Sequence, residues 1–162
     1  WKAILPFRSG YILELCTYVK DFRSGTPPTY LGHNPLARLM VTLLLMLMLM
    51  QASSGLILAG TDLYKPPFGG AIAKWVTNGD AERLAQLKPG SKDFVDLVAY
   101  KEMRTFRKPV KKTHEIGFYL LLIAILIHIV GVIITEIQLK QGLISGMFTG
   151  HKVLPESPKN KD

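Results

Sequence analysis

Cysteine is almost absent from this chain: Cys16 is the only one in 162 residues. A lone thiol excludes an intrachain disulfide. It also excludes any zinc or iron–sulfur site built from cysteines of these residues alone. No Cys-x-x-Cys-His run occurs, so covalent attachment of a c-type haem within these residues is excluded too. Negative charge is scarce, with 12 Asp and Glu against 20 Lys and Arg. Two stretches lack charge altogether: Leu39–Thr61, 23 residues, and Ile116–Thr135, 20 residues, contain no Asp, Glu, Lys or Arg. About 20 such residues suffice for a helix to cross a bilayer. Neither run offers a carboxylate for an intramembrane proton relay, and neither is visibly broken, which argues against a transporter. Low-complexity segments and solenoid repeats are also missing.

What is present fits a membrane protein with long polar loops: 48% of the residues are hydrophobic and the mean hydropathy is +0.21. The net charge of +8 then reads as attraction to anionic lipid, not to nucleic acid. Residues 1–35 read as an interfacial segment and linker. Within them Tyr11–Phe22 has Ile12, Leu15, Cys16 and Val19 at i, i+3, i+4 and i+7, the stripe of an amphipathic helix. Residues 36–60 form the first transmembrane helix, with Asn34 as its expected N-cap and Pro35 in its first turn. Gly55 and Ala59, extended by Ala52, offer a small face for close helix packing. Residues 61–113 form an extramembrane loop, broken early at Pro66-Pro67 and Gly69-Gly70. Short surface helices are expected over Asp80–Leu87 and Lys92–Arg107, the latter capped by Ser91. Residues 114–137 form the second span, with Thr113 as its expected N-cap and Glu115 at its positive end. Residues 138–162 are a polar tail. The expected fold class is an all-α membrane protein: two transmembrane helices, an interfacial helix and a partly helical extramembrane loop. Charge leaves the topology open, since the loop carries eleven Lys and Arg against five in residues 1–38 and four in 136–162.

His128 lies inside the second charge-free run. An ionisable side chain at that depth is costly and marks a functional site facing the bundle interior. His114 lies fourteen positions earlier. At about 100° per residue, fourteen steps fall about 40° short of four turns, so the two imidazoles share a face about 21 Å apart along the axis. That distance suits two metal centres at opposite sides of one membrane and is too long for one ion. Each histidine opens the same unit, His114-Glu115-Ile116-Gly117 and His128-Ile129-Val130-Gly131. The glycine lies one turn on, beside its histidine. A porphyrin is flat and wide, and glycine beside an axial ligand lets the ring approach the backbone. Paired His-x-x-Gly units at this separation therefore point to two stacked b-type haems, with His114 and His128 as iron ligands and Gly117 and Gly131 as cofactor-binding positions. The alternative is helix packing through the glycines, as in a non-haem membrane anchor or scaffold subunit of a larger complex. His33, at the entrance to the first span, and His151, in the tail, read as water- or backbone-bonded. Met46, Met48 and Met50 scatter around a helix and read as apolar filler. Arg107, Lys108, Lys111 and Lys112 lie just outside His114, where they can meet haem propionates or lipid headgroups. Glu115 is placed where it could serve quinone protonation.

The pattern His114-Glu115 … His128, together with Gly32-His33-Asn34-Pro35-Leu36 ahead of the first span and the run Gly142-Leu143-Ile144-Ser145-Gly146-Met147-Phe148-Thr149-Gly150 after the second, resembles the prokaryotic cytochrome b561 family, including the b-type cytochrome subunits of hydrogenases. The resemblance implies a four-helix bundle holding two haems b per complete subunit, each between two histidines. The last helix would give one ligand to each haem, here His114 and His128. The first two helices of such a bundle, which would supply the other ligands, have no counterpart in this chain. It opens on Trp1 and reads as the C-terminal half, so those ligands are expected before Trp1 or in another chain. The resemblance further implies a multi-pass protein of the bacterial inner (cytoplasmic) membrane, in a respiratory chain. It would transfer electrons across the membrane between a quinone pool and a redox partner protein, either a c-type cytochrome or a dehydrogenase or hydrogenase subunit. Two imidazoles per iron leave no position for oxygen. An electron-transfer subunit is expected, not a stand-alone enzyme. The family orientation puts loop 61–113 in the periplasm, although the cluster Arg104, Arg107, Lys108, Lys111, Lys112 taken alone favours the cytoplasm.

Overall fold

A computed structural model describes residues 9–26, 28, 30 and 33–139. Gly32, the run 142–150, His151 and the rest of the polar tail lie outside the described residues. Five helices follow in order: α1 Tyr11–Arg23, α2 Pro35–Leu63, α3 Gly69–Val76, α4 Ala81–Gln86 and α5 Leu97–Leu139. No strand occurs among the described residues. Both α2 and the greater part of α5 are long and apolar enough to cross a membrane. The all-α membrane class expected from the sequence is the one observed. The described residues divide into two compact units, one of those up to 46 together with those from 121 on, the other of residues 47–120.

In the first unit, α1 begins after Gly10, whose φ of 84° is left-handed, and its first backbone bond runs from Glu14 N–H to the Gly10 carbonyl. It ends where Gly25, at φ 79°, turns the chain. The buried face differs from the expected aliphatic stripe: Tyr11 and Tyr18 are buried, whereas Ile12 is 76% exposed and Cys16 is exposed. The tyrosines prevail because each buries a large ring and satisfies its hydroxyl. Tyr11 OH donates to the Pro35 carbonyl at 2.7 Å, and Asn34 Nδ2 donates to Tyr18 OH at 2.8 Å. Burial pushes the Tyr18 phenol up to about 12, with the nearby Tyr30 adding to the rise and the Asn34 bond opposing it. The Tyr30 ring packs edge-on to Tyr18 at 5.8 Å. Asn34 also caps α2 as expected, its Oδ1 accepting from Ala37 N–H at 2.7 Å.

In the second unit, a small core of Ile72, Val76, Val95 and Met103, flanked by Tyr64, Trp75, Leu87 and Tyr100, holds α3 and the start of α5 together. The Gly69-Gly70 pair, expected to break the chain, instead opens α3. A side chain at 69 would run into the backbone of Tyr64, so the glycine allows the sharp return after α2. The expected helix at 80–87 is α4, with Asp80 Oδ1 accepting from the amides of Glu82 and Arg83. Three local expectations are corrected. Ser91 Oγ accepts only from Asp93 N–H, a local turn, while Asp96 Oδ1 accepts from Val98 and Ala99 N–H and is the true cap. The surface helix and the second span are one helix, α5, which continues through Pro109. Thr113 and Glu115 consequently lie inside α5, not at a helix start. Lys and Arg are good helix formers, and the basic stretch between core and span carries the helix on.

Candidate functional site

Within the second unit, α5 presents Arg107, Lys111, His114 and Phe118 at i, i+4, i+7 and i+11, one face of a helix. α2 presents Ser54, Gly55, Leu58 and Asp62 on its own successive turns. The two rows meet rung by rung. Asp62 and Arg107 form an ion pair, with the Arg107 side chain 15% exposed and that of Asp62 42% exposed. Leu58 lines a cleft of about 360 Å³ together with Arg107, Lys111, His114, Glu115, Phe118 and Tyr119. Ser54 Oγ lies 2.9 Å from His114 Nδ1. A β-carbon on Gly55 would stand 3.4 Å from His114 Cε1, so the glycine lets the imidazole lie close against α2.

The proton on His114 follows from the Ser54 hydroxyl. Ser54 Oγ is 2.6 Å from the Met50 carbonyl, one turn back on the same helix. A carbonyl has no hydrogen, so in that bond the hydroxyl donates. Ser54 has a single hydroxyl hydrogen, and toward His114 it is therefore the acceptor. In the neutral imidazole, Nδ1 is then the nitrogen that donates to this oxygen, and Nε2 is the one left with a lone pair. This is the tautomer that binds iron through Nε2, with the other ring nitrogen held by a hydrogen bond. Among the described residues no group of three or more His, Cys, Asp or Glu gathers as a metal site. An iron porphyrin carries most of the iron's ligands itself and asks a protein only for axial donors such as an imidazole. The donor chemistry of His114 fits that group.

The two glycines of the repeated unit stand in different surroundings. Gly117 is buried, and a side chain there would run into the Met50 Cε methyl and, at 3.1 Å, Gln51 Oε1. What it makes room for here is α2. Gly131 is exposed and a β-carbon would meet nothing within 4 Å among the described residues. His128, in the first unit, is half-buried, one turn after the buried Ala124. It makes no hydrogen bond to a described residue.

Of the other candidates, Arg107 is committed to Asp62, and Lys111 is the cation left in the His114 cleft. Lys108 and Lys112 are exposed. His33 is exposed, and its carbonyl accepts from Arg38 Nε at 3.1 Å. Met46 and Met48 are exposed on α2, as filler facing apolar surroundings would be, and Met50 alone reaches the α5 face. The sequence reading missed Ser54. A serine in the middle of an apolar run was the available signal, but its partner lies 60 positions away.

The family model described as prokaryotic cytochrome b561 matches residues 1–150. No curated protein and no solved structure matches the chain.

Proposed function

Because this chain belongs to the prokaryotic cytochrome b561 family, and is thereby a membrane b-type cytochrome that takes part in electron transfer and binds haem b, we propose that His114 and His128 are the iron ligands it contributes, one to each of two haems. The observation that carries the proposal is the bonded Nδ1 of His114, which leaves Nε2 as a bare donor toward a porphyrin iron. Haem b, when bound, supplies a one-electron iron couple whose potential follows ligand type, burial and nearby charge. The residues of this chain set those conditions. Ser54 and Gly55 hold the first imidazole against α2. Lys111 offers its ammonium to a propionate in the His114 cleft, and Asp62 neutralises Arg107. Gly131 leaves space for a ring beside His128. On the family's pattern the second ligand of each iron is a histidine of another helix.

On this reading electrons cross the bacterial inner membrane through two haems strung along α5. They pass between a quinone pool and a redox partner such as a c-type cytochrome or a dehydrogenase or hydrogenase subunit, as part of a respiratory chain. Glu115 and the two aromatic side chains of the His114 cleft suit a quinone headgroup that exchanges protons. Residues 61–113 are the docking surface for the partner. The direct test is a reduced-minus-oxidised visible spectrum with pyridine haemochrome quantitation on the complete membrane protein, wild type and His128→Ala. Two haems b per subunit with loss of one in the variant is the expected result. Intact protein with no haem band overturns the proposal and leaves a scaffold role.

A further inference from the structure

The Ser54 hydroxyl reaches His114, and it does so from a different helix. Its surroundings are unusual for a serine in a span: it is buried, its hydrogen is spent on the Met50 carbonyl, and its lone pair faces His114 Nδ1. A serine bonding back to the carbonyl one turn earlier is ordinary in a helix. The consequence here is that the back-bond polarises Oγ and makes it a better acceptor for the imidazole N–H.

We propose that Ser54 is a positioning residue for the haem iron bound by His114. It fixes the Nδ1–H tautomer, orients the ring so that Nε2 is its only donor, and raises the electron density of the imidazole. The inference rests on His114 being an axial ligand. The chain of bonds runs His114 Nδ1–H to Ser54 Oγ–H to the Met50 carbonyl, at 2.9 and 2.6 Å. Ser54 fills both roles, accepting from His114 and donating to Met50, and the carbonyl that ends the chain only accepts. Gly55 is part of the same device: it lets the ring sit near enough for the bond to form. His128 has no such partner among the described residues, so the two haems are predicted to differ in how firmly their ligands are held. Hydrogen-bond partners of ligating histidines are typically worth about 10–100-fold in metal affinity. A more electron-rich imidazole favours the oxidised iron, so removing the bond raises the potential of that haem alone.

The test is a redox titration of the complete cytochrome with optical and EPR detection, plus the rate of haem release to a haem-scavenging protein, on wild type, Ser54→Ala, Ser54→Thr and His114→Ala. In Ser54→Ala one haem shifts to higher potential and changes its low-spin EPR signal. The same haem is released about 10–100-fold faster, and the other haem is unmoved and reports correct assembly. Ser54→Thr keeps a hydroxyl and restores the wild-type values. If Ser54→Ala fails to accumulate, Ser54→Cys keeps the size with a weaker acceptor and shifts the same haem in the same direction. Wild-type potentials, EPR signal and release rates in Ser54→Ala, with one haem lost in His114→Ala, overturn the role of Ser54 and leave the ligand assignment standing. Two haems retained in His114→Ala overturn the ligand assignment and this inference with it.

Discussion

The stretch of α5 around His114 and the stretch around His128 begin from the same four-residue unit and end in different environments. Around His114 a second helix has closed in. Ser54 holds Nδ1, Gly55 gives the ring room, and Met50 and Gln51 fill the space that Gly117 leaves. Around His128 the described residues add no hydrogen bond, and none of them stands within 4 Å of a β-carbon at Gly131. A repeated motif therefore states where the histidines sit on a helix and says nothing of what supports them. Support is a property of the neighbouring helix, and α2 carries polar side chains on only some of its turns.

The sharpest way to break the comparison is to remove each histidine in turn. His114→Ala and His128→Ala are each expected to halve the haem b content of the complete subunit, read by pyridine haemochrome. Loss of both haems in either variant would show that the two sites do not assemble independently. The glycines come next. Gly117→Leu places a branched side chain against Met50 and Gln51 and is expected to destabilise the second unit by about 1–3 kcal/mol, the usual cost of overpacking. Thermal unfolding in detergent measures it. Gly131→Leu meets no described atom and is expected to leave folding intact while lowering haem content, which separates room for a helix from room for a ring. An equal loss of stability in both variants would erase the distinction between the two glycines.

Smaller effects sharpen the two halves separately. Asp62→Asn leaves the mostly buried Arg107 guanidinium without its carboxylate. The expected cost is about 1 kcal/mol, because Asp62 is partly exposed and screened. The same variant turns a second cation toward the His114 cleft and is expected to raise the potential of that haem only. In the other unit, Tyr18 has its phenol raised to about 12. A raised acid pKa means that packing favours the neutral form. The contribution is complete below the ordinary tyrosine value of 10.0 and fades as pH climbs from there through about 12. In an alkaline titration followed by tyrosinate absorbance, burial also delays Tyr11, Tyr30 and Tyr64, and the step near 12 should be the one lost in Tyr18→Phe.

Much of this was written legibly in the chain. Two charge-free runs fix two spans, because a bilayer demands length and apolarity and little else. Asn34 before Pro35 fixes a helix start, since a short polar side chain there can reach a free amide and proline there loses nothing. The fourteen-residue interval places His114 and His128 on one face by arithmetic alone. The rest depends on what one segment finds in another. Ile12 and Cys16 had the right period to be buried, but the tyrosines of the same helix had hydroxyl partners at Asn34 and Pro35. Gly69-Gly70 had the composition of a break, and became a helix start because Tyr64 turns back on it. Ser91 and Asp96 are both acceptable caps in isolation. Asp96 wins because its own amide is tied to the Val76 carbonyl at 2.7 Å, which places the turn. Ser54 was invisible for the same reason: its meaning lies in a ring 60 residues away.

That anchoring of Asp96 reaches beyond the start of one helix. Its amide binds Val76, its carboxylate holds two amides of α5, and Arg83 lies 3.7 Å from its other oxygen. One residue thus fastens the ends of three helices around the small core of Ile72, Val76, Val95 and Met103. In hydrogen exchange the amides of Asp96, Val98 and Ala99 should open together with that core, not as a fraying loop. For the partner docking proposed at 61–113, a surface fastened in this way lowers the association free energy spent on ordering it.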